Sequence, residues 1–95
     1  MKNKGRKKYP KFAQDELDLH GFTRAEANEE VWSFLMRAEE KGFKRVLIVT
    51  GRGLHSENGG VLKKHVQKLL DEEKYFYKNA KITEGGEGAI DIYLE

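Results

Sequence analysis

Apolar and polar positions alternate along this chain in short periodic runs punctuated by glycine. Leu17-Asp18-Leu19-His20 has the period of two expected of a half-buried strand, and Gly21 closes it. Thr23 and Glu26 follow at capping-box spacing, where hydroxyl and carboxylate each satisfy an orphan backbone donor at a helix start. Ala27, Val31, Phe34, Leu35 and Ala38 then share one helical face, and Gly42 supplies a stop. Residues 44–50 contain Val46-Leu47-Ile48-Val49, apolar at every position, which predicts an interior strand. After a glycine-rich loop at 51–60, Val61, Leu62, Val66, Leu69 and Leu70 mark a second helix over about 60–73. Residues 76–83 and 89–94 read as two strands joined by Gly85-Gly86-Glu87-Gly88, a hairpin and therefore antiparallel.

The element order is β-α-β-α-β-β, an α/β two-layer sandwich with two helices on one face of a four-stranded mixed sheet. Each strand-helix-strand crossover makes its strands run the same way, so the first three strands share one C-terminal edge. That edge gathers His20-Gly21, the loop 51–60 and the loop 85–88, and open α/β sheets bind ligands at such edges. Asp18 and His20 are expected on the sheet face opposite the helices, open to solvent, with Asp91 and Tyr93. Tyr75, Phe76 and Tyr77 cannot all enter the core; Phe76 and Trp32 are expected to finish its packing.

Length permits one domain, with a core sufficient for folding but little margin. The +2 net charge hides an asymmetry. Residues 1–13 hold six of the 18 basic residues (Lys2, Lys4, Arg6, Lys7, Lys8 and Lys11) and none of the 16 acidic ones, leaving the body with four more acids than bases. Residues 1–14 are expected to form a disordered basic arm and residues 15–95 the domain. Such an arm tracks phosphates by releasing condensed counterions, or serves only as a solubilising leader; charge alone favours neither. The chain has no cysteine, which excludes disulfides, thiolate metal sites and a cysteine nucleophile. No apolar run is long enough to cross a bilayer, and the basic N-terminus lacks the apolar segment of a secretory signal, so a cytoplasmic monomer with no membrane partner is expected.

Two clusters carry candidate chemistry. Imidazole exchanges protons near neutrality, and Asp18 two residues from His20 can orient it or hold a cation, although polar residues on an open strand face are ordinary. Thr50-Gly51-Arg52-Gly53 follows a buried strand: its glycines admit a phosphate close to backbone amides and its arginine can grip phosphate with two parallel hydrogen bonds. A tight strand-to-helix loop with an exposed arginine explains the same residues. The loop is neither a Walker A sequence nor G-x-G-x-x-G, which disfavours nucleotide cofactors. His55 and Ser56 offer a second proton carrier and a hydroxyl, Gly85, Gly86 and Gly88 offer phosphate contacts by proximity, and His65 is read as surface or boundary without a role.

Leu17-Asp18-Leu19-His20-Gly21, Thr50-Gly51-Arg52-Gly53-Leu54-His55-Ser56 and Gly85-Gly86-Glu87-Gly88-Ala89 together resemble, in order and spacing, the signature of the Smr (small MutS-related) domain over residues 16–95. The resemblance implies a fold similar to the C-terminal domain of translation initiation factor 3. It also implies nicking or cleaving endonuclease activity on DNA, RNA or both. Members of that family occur as the C-terminal domain of a MutS paralogue, in ribosome-collision and messenger-RNA quality control, and as stand-alone proteins. By the same resemblance Asp18 and His20 match residues implicated in cleavage, and Gly51, Arg52 and Gly53 match a loop tied to substrate binding or catalysis. Many members carry histidine where Thr50 stands, which leaves His20 the principal acid or base. Nucleic acid is thus the expected partner and the ribosome a further one. Magnesium or manganese is the candidate ion, with Asp18 its candidate ligand, and a non-catalytic nucleic-acid or ribosome-binding module is the alternative.

Overall fold

A computed structural model describes residues 9–51 and 59–94. The order is β1 (Glu16–Asp18), α1 (Arg24–Glu40), β2 (Arg45–Val49), α2 (Gly59–Glu72), β3 (Phe76–Asn79) and β4 (Ala89–Tyr93), with short 3₁₀ turns at Ile82–Glu84 and Gly86–Gly88 between the last two strands. This is the expected α/β arrangement of two helices and a four-stranded mixed sheet.

Helix α1 follows its local signals. Thr23 Oγ1 accepts from the Glu26 amide at 3.1 Å while Glu26 Oε1 accepts from the Thr23 amide at 2.9 Å, closing the capping box. Ala27, Val31, Phe34, Leu35 and Ala38 are its buried residues. At the other end Gly42 adopts φ +76° and the Phe43 and Gly42 amides donate back to the Ala38 and Glu39 carbonyls, a Schellman stop. Helix α2 buries Leu62, Val66, Leu69 and Leu70 as expected, whereas Val61 faces outward. His65 is half-buried, at the boundary that was one of its two expected places, and its Nε2 lies 2.7 Å from Asn28 Oδ1, a polar tie between the helices.

The sheet order is β1-β2-β4-β3. β1 pairs parallel with β2, and β4 is antiparallel to both β2 and β3, so the first three strands do run the same way. β3, however, does not adjoin β2: the last strand inserts between them, which places Ile90 and Ile92 at the centre of the core and leaves β3 at an edge. The connection is also longer than a glycine hairpin. β3 stops at Asn79, and residues 80–88 wind through the two 3₁₀ turns before β4 begins. Among the described residues no helix is long and apolar enough to cross a membrane.

Two clusters flank the sheet. On the helix side Leu19, Val31, Phe34, Leu35, Ile48 and Ile90, with their neighbours on α2, form the main core. On the other side Leu47, Ala80 and Ala89 pack with Ala13 and Val49. That second face is not simply open to solvent. Residues 9–14, expected in the arm, lie against it: Gln14 bonds the Arg45 carbonyl through its amide and the Lys44 amide through Oε1, and Tyr9 sets its ring edge-on to Tyr93 at 4.8 Å between centroids. Beneath this strap Arg45 and Asp91 are buried, the latter contrary to its expected exposure, because each neutralises the other.

Phe76 also departs from expectation. Tyr75 and Tyr77 pack half-buried on the helix-side core, so strand alternation turns Phe76 to the opposite face at the outer edge, where it is 70% exposed.

Candidate functional site

The candidate site assembles where β1 and β2 end and β4 begins. β1 is shorter than its sequence pattern: it ends at Asp18, and His20 and Gly21 occupy a turn. Asp18 causes this locally. Its Oδ1 accepts the His20 backbone N–H at 2.9 Å, a side-chain bond two residues onward that competes with the strand ladder. Leu19 is pulled into the core and its amide bonds the Val49 carbonyl at 2.7 Å, while Phe22 bonds back to Leu19 at 2.9 Å. Asp18 and His20 are therefore both exposed, but they are not two side chains projecting in parallel from one strand. The carboxylate holds the backbone that carries the imidazole.

The second motif enters beside it. Gly51 adopts φ +93°, which disfavours a side chain, and a Cβ built there would lie 3.7 Å from His20 Cδ2. The positive φ, rather than the space beside the histidine ring, is what calls for glycine here. Thr50 is 1% exposed; its hydroxyl donates to the Gly88 carbonyl at 3.3 Å, and the Thr50 and Gly51 amides point to that same carbonyl at 2.8 and 3.1 Å. Thr50, expected as a substrate contact, is spent on joining two loops. Arg52, Gly53, His55 and Ser56 lie outside the described residues, as do Lys2, Lys4, Arg6, Lys7 and Lys8 of the basic segment; Lys11 is described and exposed.

The third motif closes the edge. Gly85 (φ +116°) and Gly86 (φ +54°) turn the chain, and the Gly88 amide donates to the Gly85 carbonyl at 2.9 Å. Lys63 of α2, which the sequence did not single out, donates from Nζ to the Glu87 carbonyl at 2.8 Å and so brings an ammonium group to this loop. Only its place near the start of a helix leaving the glycine-rich loop could have flagged it.

The three motifs are thus contiguous: His20 beside Gly51, Gly51 bonded to Gly88, and Gly88 bonded to Gly85. Helices α1 and α2 both begin near this edge, where their free amides and partial positive charge favour anions. Among the described residues no group of three His, Cys, Asp or Glu side chains could hold a metal ion.

A scan against family models matches the Smr domain over residues 17–95. Endonuclease MutS2 of Carboxydothermus hydrogenoformans is 34% identical over 82 residues, which cover 84% of this chain and 10% of that protein. The chain spans between 10% and 40% of the length of the curated relatives it matches. Among solved structures, the Smr domain of Thermus thermophilus MutS2 superposes with a TM-score of 0.75 at 30% identity, covering 85% of this chain and 98% of that one. YdaL, a stand-alone small MutS-related protein from Escherichia coli, gives 0.78 at 30% identity, covering 93% and 68%. The family match extends through all three motifs that meet at the sheet edge, and the chain belongs to the Smr domain family.

Proposed function

We propose that this domain binds nucleic acid and cleaves a phosphodiester bond at the edge where His20, Gly51 and residues 85–88 meet. The observation that carries the reading is the seating of an exposed imidazole against a glycine at positive φ whose amide ties directly to the third loop. A phosphate reaching that edge meets a proton carrier, helix amides and the Lys63 ammonium together.

On RNA the 2′-hydroxyl attacks phosphorus and the bond to the 5′-oxygen breaks. His20 takes the proton from the nucleophile or delivers one to the leaving oxygen, and Asp18 positions it through the bond to its backbone amide. Arg52, following Gly51 in sequence, is assigned to the charge that builds on the phosphoryl oxygens. On DNA water must replace the internal nucleophile. Magnesium or manganese would take Asp18 as ligand, but the described donors do not form a set that would hold the ion.

The name of the Carboxydothermus relative, an endonuclease, supports the cleaving reading. The inward-turned Thr50, which leaves one imidazole at the described edge, favours the second reading, a module that binds nucleic acid or the ribosome without cutting. Labelled RNA and DNA incubated with the protein, with and without magnesium, beside His20→Ala and Asp18→Asn variants, separate the two. Cleavage by the parent, lost in His20→Ala with binding kept, is expected. Binding without cleavage by any form rejects the nuclease.

A further inference from the structure

Far from the three motifs, an aromatic groove runs along the β3 edge of the sheet. Tyr9, Phe76, Tyr77, Lys78 and Tyr93 line a space of about 410 Å³. Phe76 is the exposed aromatic among them, with 70% of its surface free, although it lies on a strand and could have been any polar residue at no cost to the core. The rest of the lining is organised around it. Tyr9 meets Tyr93 edge-on, and Lys78 Nζ stands 5.5 Å from the centre of the Tyr93 ring. The Tyr93 hydroxyl is committed to Asp91 at 2.8 Å, and Asp91 in turn is neutralised by Arg45, so the buried carboxylate projects no charge of its own into the groove.

Lys78 is the charged residue among the described residues that line the groove; the adjoining hollow, which shares Phe76 and Tyr93 with it, carries Glu39 and Glu73 beside Lys74. Lys74 precedes Phe76 by two positions, and Tyr9 is preceded directly in sequence by Lys2, Lys4, Arg6, Lys7 and Lys8. A free aromatic face with the Lys78 ammonium on its groove side fits a ligand that is planar and apolar in one part and anionic in another. A duplex hides its base faces in the stack; a single strand offers them beside its phosphates.

We propose that this groove is a stacking platform for single-stranded nucleic acid, with a base on Phe76 and a flanking phosphate on Lys78. The inference rests on the nucleic-acid reading above and adds to it a second point of contact. Tyr93 stands four residues along β4 from Ala89, next to Gly88, or roughly 14 Å at the rise of a strand. The platform thus holds a strand at a distance from the edge where cleavage is assigned, and it does so on β3 and β4 rather than on loops.

Fluorescence anisotropy with labelled single-stranded and duplex oligonucleotides of equal length, in RNA and DNA, tests this on the full chain. Stacking of one base is expected to make Phe76→Ala about 5- to 100-fold weaker on single strands, with little change on duplex. Phe76→Trp is expected to restore affinity, and its added indole to be quenched when the strand binds. Lys78→Ala is expected to lower the slope of log affinity against log salt by about one phosphate contact. An oligonucleotide with abasic positions should bind parent and Phe76→Ala alike. Because Phe76 is exposed, circular dichroism should show the variants folded. If the parent binds no nucleic acid, the functional reading fails. If the parent binds and Phe76→Ala binds single strands equally well, this inference alone is overturned. Equal binding combined with a change in sedimentation would instead make the groove a protein-contact surface.

Discussion

Replacing Arg45 by alanine should destabilise this domain more than any change at the candidate site. Its guanidinium is 3% exposed and uses all five N–H donors: Nε and Nη2 reach Asp91 at 2.8 and 2.9 Å, Nη2 reaches Glu84 at 2.8 Å, and Nη1 reaches the carbonyls of Pro10, at 3.1 Å, and Lys11. Arg45→Ala leaves the fully buried Asp91 carboxylate with the Tyr93 hydroxyl as its remaining described donor. Removing one partner of a buried pair costs about 3–5 kcal/mol, and a domain of this length has about 5–14 kcal/mol in total. With a urea m-value near 1–1.5 kcal/mol/M, the midpoint should fall by about 2–5 M. The pair holds the Arg45 pKa above its ordinary value, chiefly through the Asp91 hydrogen bond, so the arginine's contribution is complete below its unfolded pKa and is lost only as pH rises through the raised one. The deficit of Arg45→Ala should therefore not arise from arginine titration near neutrality. Urea unfolding followed by circular dichroism and Trp32 fluorescence measures it, and trypsin cleavage after Lys11 should accelerate as the strap loses its anchor. If Arg45→Ala does not fold, Arg45→Lys, which keeps charge without the fork, and the apolar pair Arg45→Met/Asp91→Leu are measured, the pair expected to recover most of the loss. A folded Arg45→Ala within about 1 kcal/mol of the parent refutes the reasoning, as does a double variant no better than the single.

Gly85→Ala combines a positive φ of +116° with a new Cβ 2.8 Å from that of Ala89, so a loss of about 2–4 kcal/mol is expected; Gly86→Ala, at φ +54° with open space, should lose only about 1–2, and thermal unfolding ranks the two. Thr23→Ala removes one half of the capping box and should cost about 1 kcal/mol by urea titration. Burial, then the hydrogen bond to Glu39, pushes the Tyr75 pKa up to about 12; stability from its neutral form is full below pH 10 and fades as pH rises through 12, so the Tm gap between parent and Tyr75→Phe should narrow across that interval. Deleting residues 1–8 removes five cations and should flatten the salt dependence of the proposed nucleic-acid binding; an unchanged slope would mean that this basic segment makes no phosphate contacts.

What could be read from the sequence was what local chemistry decides. Helix α1 was legible down to its five buried residues and both stops, because capping, periodicity and a glycine at positive φ all act within a few residues. The interior strand β2 was legible from its unbroken apolar run. Strand order was not. The insertion of β4 between β2 and β3 depends on pairings across forty or more positions, and the same pairing makes Asp91 an interior residue by bringing Arg45 to it. A carboxylate at an alternating position reads as solvent-facing until its distant partner is known. Phe76 misled for a related reason: three consecutive aromatics could not all enter the core, but which of them faces the covered side of an edge strand is a tertiary fact.

The candidate edge shows both sides of this. That three motifs meet there followed from strand direction alone, since parallel strands must place their outgoing loops at one end. How they meet did not follow, because it is built from backbone bonds that side-chain identity hardly encodes: Asp18 to the His20 amide, and the Thr50 and Gly51 amides to one Gly88 carbonyl. Only the first had a local signal, an aspartate three residues before a glycine at the end of a strand, which favours a side-chain turn over one more ladder pair. That turn sets the chemistry available. With Asp18 bound to the backbone, the His20 ring faces its neighbour Gly51 without a side-chain partner among the described residues, so in the cleavage reading proposed above substrate contacts would complete its orientation.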